Sequence, residues 1–412
     1  MSYKIKGNSV YFTISFGNGV NGKKIRKYFT WKIDRHYTEK ALAAKLEQIE
    51  NDFKEKYKNG LGNFTDSIKF ADFLPIYFEN KKGKLSPTVF EEYKRVLCNI
   101  FVPVIGHLSL GEIKVQTLQR IINSLSSGQY KKADGKPVKP LAPASVVRYG
   151  NMLKSVFSEA YRLEIIEKNT TDRLEFPTIP KQKTVVYNKQ ELGKMLSALD
   201  SEVEINRDKP LSVISVKVML RALIWLYLTT GVRRSEAVAL KWCDIDFNDG
   251  LLDVSKSAYK LKGETTQTKS TKNGEERTEE LSVECAAYLQ EWKDYQIQRR
   301  LELGTAWRGE SNPQKGSIFT AVDGAVMCPT VPTEMFSDFL ERNDLPHIKL
   351  HALRHTFATY MLDSGVNVKT VSEMLGHKSL KVTNRYVHDL KDRRKESTEQ
   401  LSALYSDLKK QA

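Results

Sequence analysis

Residues Thr229–Phe247 read TTGVRRSEAVALKWCDIDF, and this run of residue types limits what the chain can be. Gly231 breaks one helix and Ser235 or a neighbour starts the next, so Arg233 stands in the elbow between them. A guanidinium held there is permanently charged and can grip two oxygens at once. Glu236, three residues on, can orient it. Alone, Arg233 reads equally well as an exposed loop arginine. Upstream, VMLRALIWLYLTTG (Val218–Gly231) is the most apolar segment. It contains Arg221 and is too short to span a bilayer, so it reads as a buried helix. Downstream, IDFNDGLLDVSKS sets a D-G turn between apolar runs, and TKSTKNGEERTEEL sets an N-G turn between polar arms. Both read as β-hairpins. Lys272, at the edge of the second, can reach out as a proton donor, and Lys269 on the same arm is the alternative.

Two later segments carry further polar groups. In KLHALRHTFATYMLDSG (Lys349–Gly365), His351 and Arg354 share a helix face, while Leu353, Phe357, Tyr360 and Met361 form an adjacent core-facing stripe. His351 and His355 have the spacing of two zinc ligands. Residue 352 is alanine, however, and no carboxylate or thiol cluster completes a metal set, so no metal is expected. In VSEMLGHKSLKVTNRYVH (Val371–His388), Gly376 ends a helix and fixes His377 just past its C-terminus. Tyr386 follows, after a new start signal near Ser379. By itself, Tyr386 reads as an ordinary half-buried ring.

The rest of the chain sets the context. Its 412 residues suggest two or three domains. The 65 Lys and Arg against 50 Asp and Glu give a net +15, a field that attracts polyanions, nucleic acid first and anionic membrane second. No secretory signal is visible. The four cysteines are scattered without a C-x-x-C pair, which argues against a disulfide framework and for a reducing cytoplasm. Residues 1–63 read as a small basic module, with 13 Lys and Arg against 6 Asp and Glu. Within it, SVYFTISF alternates Val10, Phe12, Ile14 and Phe16 against Tyr11, Thr13 and Ser15, a strand signature. GNGVNG supplies the turn and KKIRKYFTWKI the return strand. A helix then follows from a cap at Thr38, with Leu42, Leu46, Ile49, Phe53 and Tyr57 at helical spacing. Lys23, Lys24, Arg26 and Lys27 cluster on the turn and return strand, where they could meet a DNA groove.

Residues 64–180 read as helical, with SGQYKKADGKPVKP (Ser127–Pro140) as a loop. A helix over 144–166 would carry Val147, Leu153, Phe157, Ala160 and Tyr161 on or near one face. FPTIPKQK (Phe176–Lys183) reads as a linker. Residues 184–392 form a third unit, opened by a capping pair, Asn188 with Glu191. The tail, 393–412, places Leu401, Leu404, Tyr405 and Leu408 at helical spacing.

Two arginines, two histidines, a lysine and a tyrosine make a coherent chemical set. Phosphoryl transfer from a diester needs charge on the non-bridging oxygens, donors for the other oxygens, a nucleophile and an acid for the departing oxygen. These residue types supply each without a metal. There is also no G-x-x-x-x-G-K-[ST] loop for a nucleotide.

Together TGVRRSEAVALKWCDID, TKNGEER, HALRHTFAT and LGHKSLKVTNRYVH resemble, in order, the signature segments of the tyrosine recombinase (phage integrase) family, of the kind found in conjugative transposons and temperate phages. The resemblance implies that Arg233 and Arg354 clamp a scissile phosphate, and that Lys272 protonates the leaving 5′ oxygen. His351 would act as general acid/base and His377 would donate to a phosphate oxygen. Glu236 would brace the site, and Tyr386 would be the nucleophile, forming a 3′-phosphotyrosyl link. One departure is visible: after Arg277 the family usually shows a Val-Pro-Leu-like strand, and here the chain reads TEEL.

The expected fold is multidomain, mainly α with small antiparallel sheets. It comprises an N-terminal three-stranded sheet plus helix (1–63, an arm-site DNA-binding module), a helical SAM-like core-binding domain (64–180), a mixed α/β catalytic domain (184–392) and a tail helix (393–412). The expected function is integration and excision of a mobile element's DNA. Expected partners are double-stranded DNA at core-type and arm-type sites, a homo-tetramer on DNA, an excisionase and a DNA-bending factor. Neither a cofactor nor a membrane is expected, and the place of action would be the bacterial cytoplasm, at the nucleoid. Type IB topoisomerase-like relaxation and a non-catalytic architectural role are the alternatives.

Overall fold

The structure is a computed structural model, and it describes residues 2–6, 9–18, 24–33, 37–58, 68–130, 139–180, 186–271, 276–377, 379–380 and 382–383. The chain divides into two compact units, Met1–Lys84 with Tyr93–Thr178, and Leu85–Glu92 with Ile179–Ala412.

The first unit opens with an antiparallel sheet of order β1-β2-β3, from β1 (Ser2–Lys6), β2 (Ser9–Asn18) and β3 (Lys24–Lys32). Val10 and Phe12 are buried and Tyr11 between them is exposed, as a period of two demands. Val10 pairs with Trp31, and α1 (Glu39–Lys58) lays Leu46 on the same small core, flanked by Leu42 and Ile49. The side chains of Ile14, Phe16, Phe53 and Tyr57 lie outside the described residues.

Five helices follow: α2 (Phe70–Lys81), α3 (Pro87–Val96), α4 (Val102–Ile105), α5 (Val115–Ser127) and α6 (Pro143–Arg162). They share a core that includes Phe70 and Phe157, whose rings stack with centroids 6.2 Å apart. The buried stripe of α6 runs through Val146, Leu153, Phe157 and Ala160. This corrects the expected face at both ends: Val147 is half-buried and Tyr161 is exposed. The helix also ends earlier than expected, before Glu164 at φ 55°.

In the second unit, α7 (Lys189–Ile205) starts at the expected capping pair. Asn188 Oδ1 accepts from Glu191 N, and Glu191 Oε2 accepts from Asn188 N, both at 2.9 Å. The apolar run becomes α8 (Leu211–Thr230), which reaches seven residues further N-terminal than Val218 and is long and apolar enough to cross a bilayer. Here it is the core helix, packed against α7, α10 (Val283–Leu303) and α12 (His351–Asp363). Its two charges are paired: Lys217 with Glu202, and Arg221 with Asp200 and Glu291.

After α8 come the single turn α9 (Arg234–Ala237) and a sheet of order β4-β5-β8, from β4 (Ile245–Asp246), β5 (Leu251–Val254) and β8 (Arg277–Glu280). The D-G hairpin forms as expected, with Gly250 at φ 65°. Among the described residues, the two arms of the N-G hairpin do not pair with each other. Its first arm is β7 (Gln267–Ser270), which pairs with β6 (Lys256–Tyr259), while its second arm is β8, which pairs with β5. Both arms are polar, so nothing fixes their register to each other. Each instead adds to a strand that already anchors in the core through Leu252 and Val254 or Ala258. Helices α11 (Val331–Arg342) and α13 (Val368–Met374) complete the described part.

Candidate active site

Gly231 caps α8 in the left-handed conformation, φ 62°, and turns the chain sharply into the elbow. Arg233 then precedes α9. Glu236, three residues on, accepts from the Arg233 backbone N at 2.9 Å and from its Nη1 at 2.7 Å. The same carboxylate accepts from Arg277 Nη2 on β8 at 2.8 Å. Glu236 is only 2 % exposed. Burial pushes its pKa up, but the hydrogen bond and charge of Arg277, then Arg233, more than reverse this and hold it at about 2. It is therefore a permanent anion between two guanidinium groups.

Arg233 and Arg354 reach the same turn from opposite sides. Arg233 Nη2 donates to Gly376 O at 2.8 Å. Arg354, in the first turn of α12 and 2 % exposed, donates through Nη1 to Gly231 O at 2.5 Å and through Nη2 to Leu375 O. Its Nη2 also lies 3.0 Å from His377 Nε2. Gly376 sits between, at φ 57°, where a Cβ would lie 3.4 Å from Arg277 Nη1 and 3.6 Å from Arg233 Nη1. The turn after α13 thus meets both arginines and carries His377.

The open side is a cleft of about 430 Å³ lined in part by Arg233, Arg234, Lys349, His351 and Arg354, with no carboxylate among the described residues of its lining. Such a cleft binds an anion. His351, first residue of α12, stands at its rim. Partial desolvation, then the charges of Arg354, Arg233 and Arg234, pull its pKa below the usual histidine value, so it is biased toward the neutral form. His377 is brought to about 4 by burial and then by Arg354 and Arg233.

Of the residues singled out from sequence, Arg233, Glu236, His351, Arg354 and His377 meet around this cleft and turn. Tyr386, Lys272 and Lys23 lie outside the described residues. Lys269 is on β7 with its Nζ over the Tyr259 ring, 5.2 Å from the centroid. Lys24, Arg26 and Lys27 lie on β3, opposite Asn18, Ser15 and Ile14.

Residues 188–393 match the phage integrase family, and residues 69–126 match the N-terminal SAM-like domain of phage integrases. The chain belongs to the phage integrase family. It is a site-specific tyrosine recombinase of the integrase type.

A tyrosine recombinase XerC-like protein of Caldanaerobacter subterraneus subsp. tengcongensis is 28% identical over 422 residues, covering 97% of this chain and 98% of its own. The ICEBs1 integrase of Bacillus subtilis is 22% identical over 413 residues, covering 97% and 99%. The Tn1549 transposon integrase, solved in complex with transposon right end DNA, has the same fold, with a TM-score of 0.62 at 18% identity over 81% of this chain and 100% of that one.

In this recombinase, sequence reasoning missed Arg277 and Glu279. Arg277 Nε donates to Glu279 Oε1 at 2.7 Å and to Met374 O at 3.1 Å. Both side chains are nearly buried, 10 % and 2 % exposed. The acidic TEEL arm hid them, because a run of Glu reads as solvated surface. The available signal was period two: in a strand half-buried on a sheet, one alternate set must face inward. Arg234, next to Arg233, and Lys349, two residues before His351, were also missed.

Proposed function

We propose that the recombinase integrates and excises the DNA of a mobile element, of the conjugative-transposon or phage kind, through a covalent 3′-phosphotyrosyl intermediate. The observation that carries this is the pair Arg233 and Arg354, joined through one turn beside a cationic cleft with no acid among the described residues of its lining. The scissile phosphate sits in that cleft and is held by the two guanidinium groups. The Tyr386 oxygen attacks phosphorus, a new P–O bond forms, and the bond from phosphorus to the 5′ oxygen breaks. Lys272 gives that oxygen its proton. His351 takes and returns the tyrosine proton, and His377 donates to a phosphate oxygen. The energy of the diester is kept in the phosphotyrosyl bond, so a second 5′-hydroxyl can reverse the step and rejoin the strands.

Lys269 is the weaker candidate for the leaving-group acid, since its ammonium is placed over Tyr259. Lys23 and the β3 residues Lys24, Arg26 and Lys27 read arm-type DNA, and residues 64–180 and residues 184–392 each contact core-type DNA. The working form is a homo-tetramer on DNA. An apolar groove of about 530 Å³, lined in part by Leu192, Leu196, Trp225, Leu228, Met361 and Met374, suits the tail stripe Leu401, Leu404, Tyr405 and Leu408 of a neighbouring copy. An excisionase and a bending factor would set direction, and the work would take place on the bacterial chromosome in the cytoplasm.

The test is a nicked duplex covering the junction between the element and the flanking chromosome. The protein should become covalently attached to it, and Tyr386→Phe should abolish attachment. Attachment by the phenylalanine variant would overturn the assignment. Relaxation of supercoiled plasmid lacking any junction, at the rate of recombination, would favour the topoisomerase-like reading instead.

A further inference from the structure

One guanidinium outside the phosphate cleft touches both the carboxylate that holds Arg233 and the end of the helix that leads into the turn gripped by both cleft arginines. Arg277 Nη2 donates to Glu236 Oε2 at 2.8 Å, and Glu236 holds both the backbone and the side chain of Arg233. Its Nε donates to Met374 O, at the end of α13, where the chain turns into Leu375, Gly376 and His377. Those three residues supply the carbonyl gripped by Arg354, the carbonyl gripped by Arg233 and the imidazole beside Arg354. Glu279 Oε1 fixes the Arg277 fork from the same strand. A guanidinium can serve three directions at once because its N–H groups lie in a rigid plane, and an ammonium cannot copy that fan.

We propose that Arg277 is a positioning residue for phosphoryl transfer, tying the Arg233 elbow to the Leu375–His377 turn so that both clamp arginines meet one phosphate, with Glu279 as the anchor that aims it. The proposal rests on the reading of Arg233 and Arg354 as that clamp. Arg277 is nearly buried, so its part is indirect. Its loss leaves two buried carboxylates to draw on Arg233 or to take up protons. Duplex affinity comes from many phosphate contacts and should hardly change. The rate of the covalent step should fall, because a small displacement of a clamp costs much in rate.

The experiment measures covalent attachment to the nicked junction duplex at saturating DNA, and duplex affinity separately, for the full chain. Arg277→Met is expected to slow attachment about 100-fold with little change in affinity. Arg277→Lys should recover part of the loss. Glu236→Gln should slow attachment too, and the double variant with Arg277→Met should be no slower than the slower single, because both act through one contact. Wild-type attachment by Arg277→Met overturns the proposal, as does a double variant whose penalty is the product of the two. If Arg277→Met does not fold, Arg277→Lys with Glu236→Gln gives the same cycle. Failure of the wild-type protein to attach, or attachment by Tyr386→Phe, would instead sink the recombinase assignment of the site and leave the bracing geometry standing.

Discussion

Arg354 donates through Nη2 to His377 Nε2 at 3.0 Å, and His377 Nδ1 lies 2.9 Å from Thr383 Oγ1. The partners assign the ring proton to Nδ1 and leave the imidazole neutral. A phosphate in the cleft would compete for the Arg354 N–H groups and offset the charges that disfavour a second ring proton.

That relationship gives a titration. Burial, then Arg354 and Arg233, lower the His377 pKa from 6.5 to about 4. The unfolded ring therefore takes its proton first as pH falls. The stability this confers is full above about 6.5 and is lost as pH drops toward 4. Relative to wild type, His377→Gln should flatten the fall in Tm over that window. By NMR, the His377 midpoint should rise when duplex is added, and an unmoved midpoint would count against a phosphate beside Arg354.

Glu279 should have the opposite slope. Burial raises its pKa to about 7 despite the pull of Arg277. The native state then holds the proton more tightly than the unfolded chain, so this contribution is greatest below about 4.5 and is lost as pH rises through 7. Glu279→Gln keeps an acceptor for Arg277 and removes the titration. Its Tm should exceed wild type at pH 8 and match it near pH 4. A constant difference at both values would refute the burial argument.

Gly231 is predicted to be irreplaceable for two reasons. It sits at φ 62°, and a Cβ there would lie 2.5 Å from Phe357 Cδ1 and 2.9 Å from Leu375 Cδ2. Its carbonyl also accepts from Arg354. Gly231→Ala should cost about 1–3 kcal/mol in urea unfolding and slow DNA attachment as well. Gly365→Ala, at φ 90° with nothing within 4 Å, should cost strain alone and leave attachment unchanged.

A chain ending at residue 392 should separate chemistry from assembly. If the tail fills the groove of a neighbouring copy, the shortened chain should attach to nicked duplex at the full rate and fail to join two sites. Leu404→Glu should do the same. Full recombination by either variant would mean that the groove has another occupant.

What the sequence determined is what neighbours a few residues apart determine. The alternation over Val10–Phe12 in β2, the Asn188–Glu191 cap and the Gly231 break are all local and all formed. The order of the four segments pointed to the site because types at fixed spacing survive any uncertainty in packing. Tertiary structure alone decided which strand each arm of TKSTKNGEERTEEL would join, since polar arms carry no register of their own. It also decided that Arg277 would be buried between Glu236 and Glu279 rather than solvated. A buried charge is tolerated only where a distant partner arrives to pair it, and that arrival is a property of the whole fold.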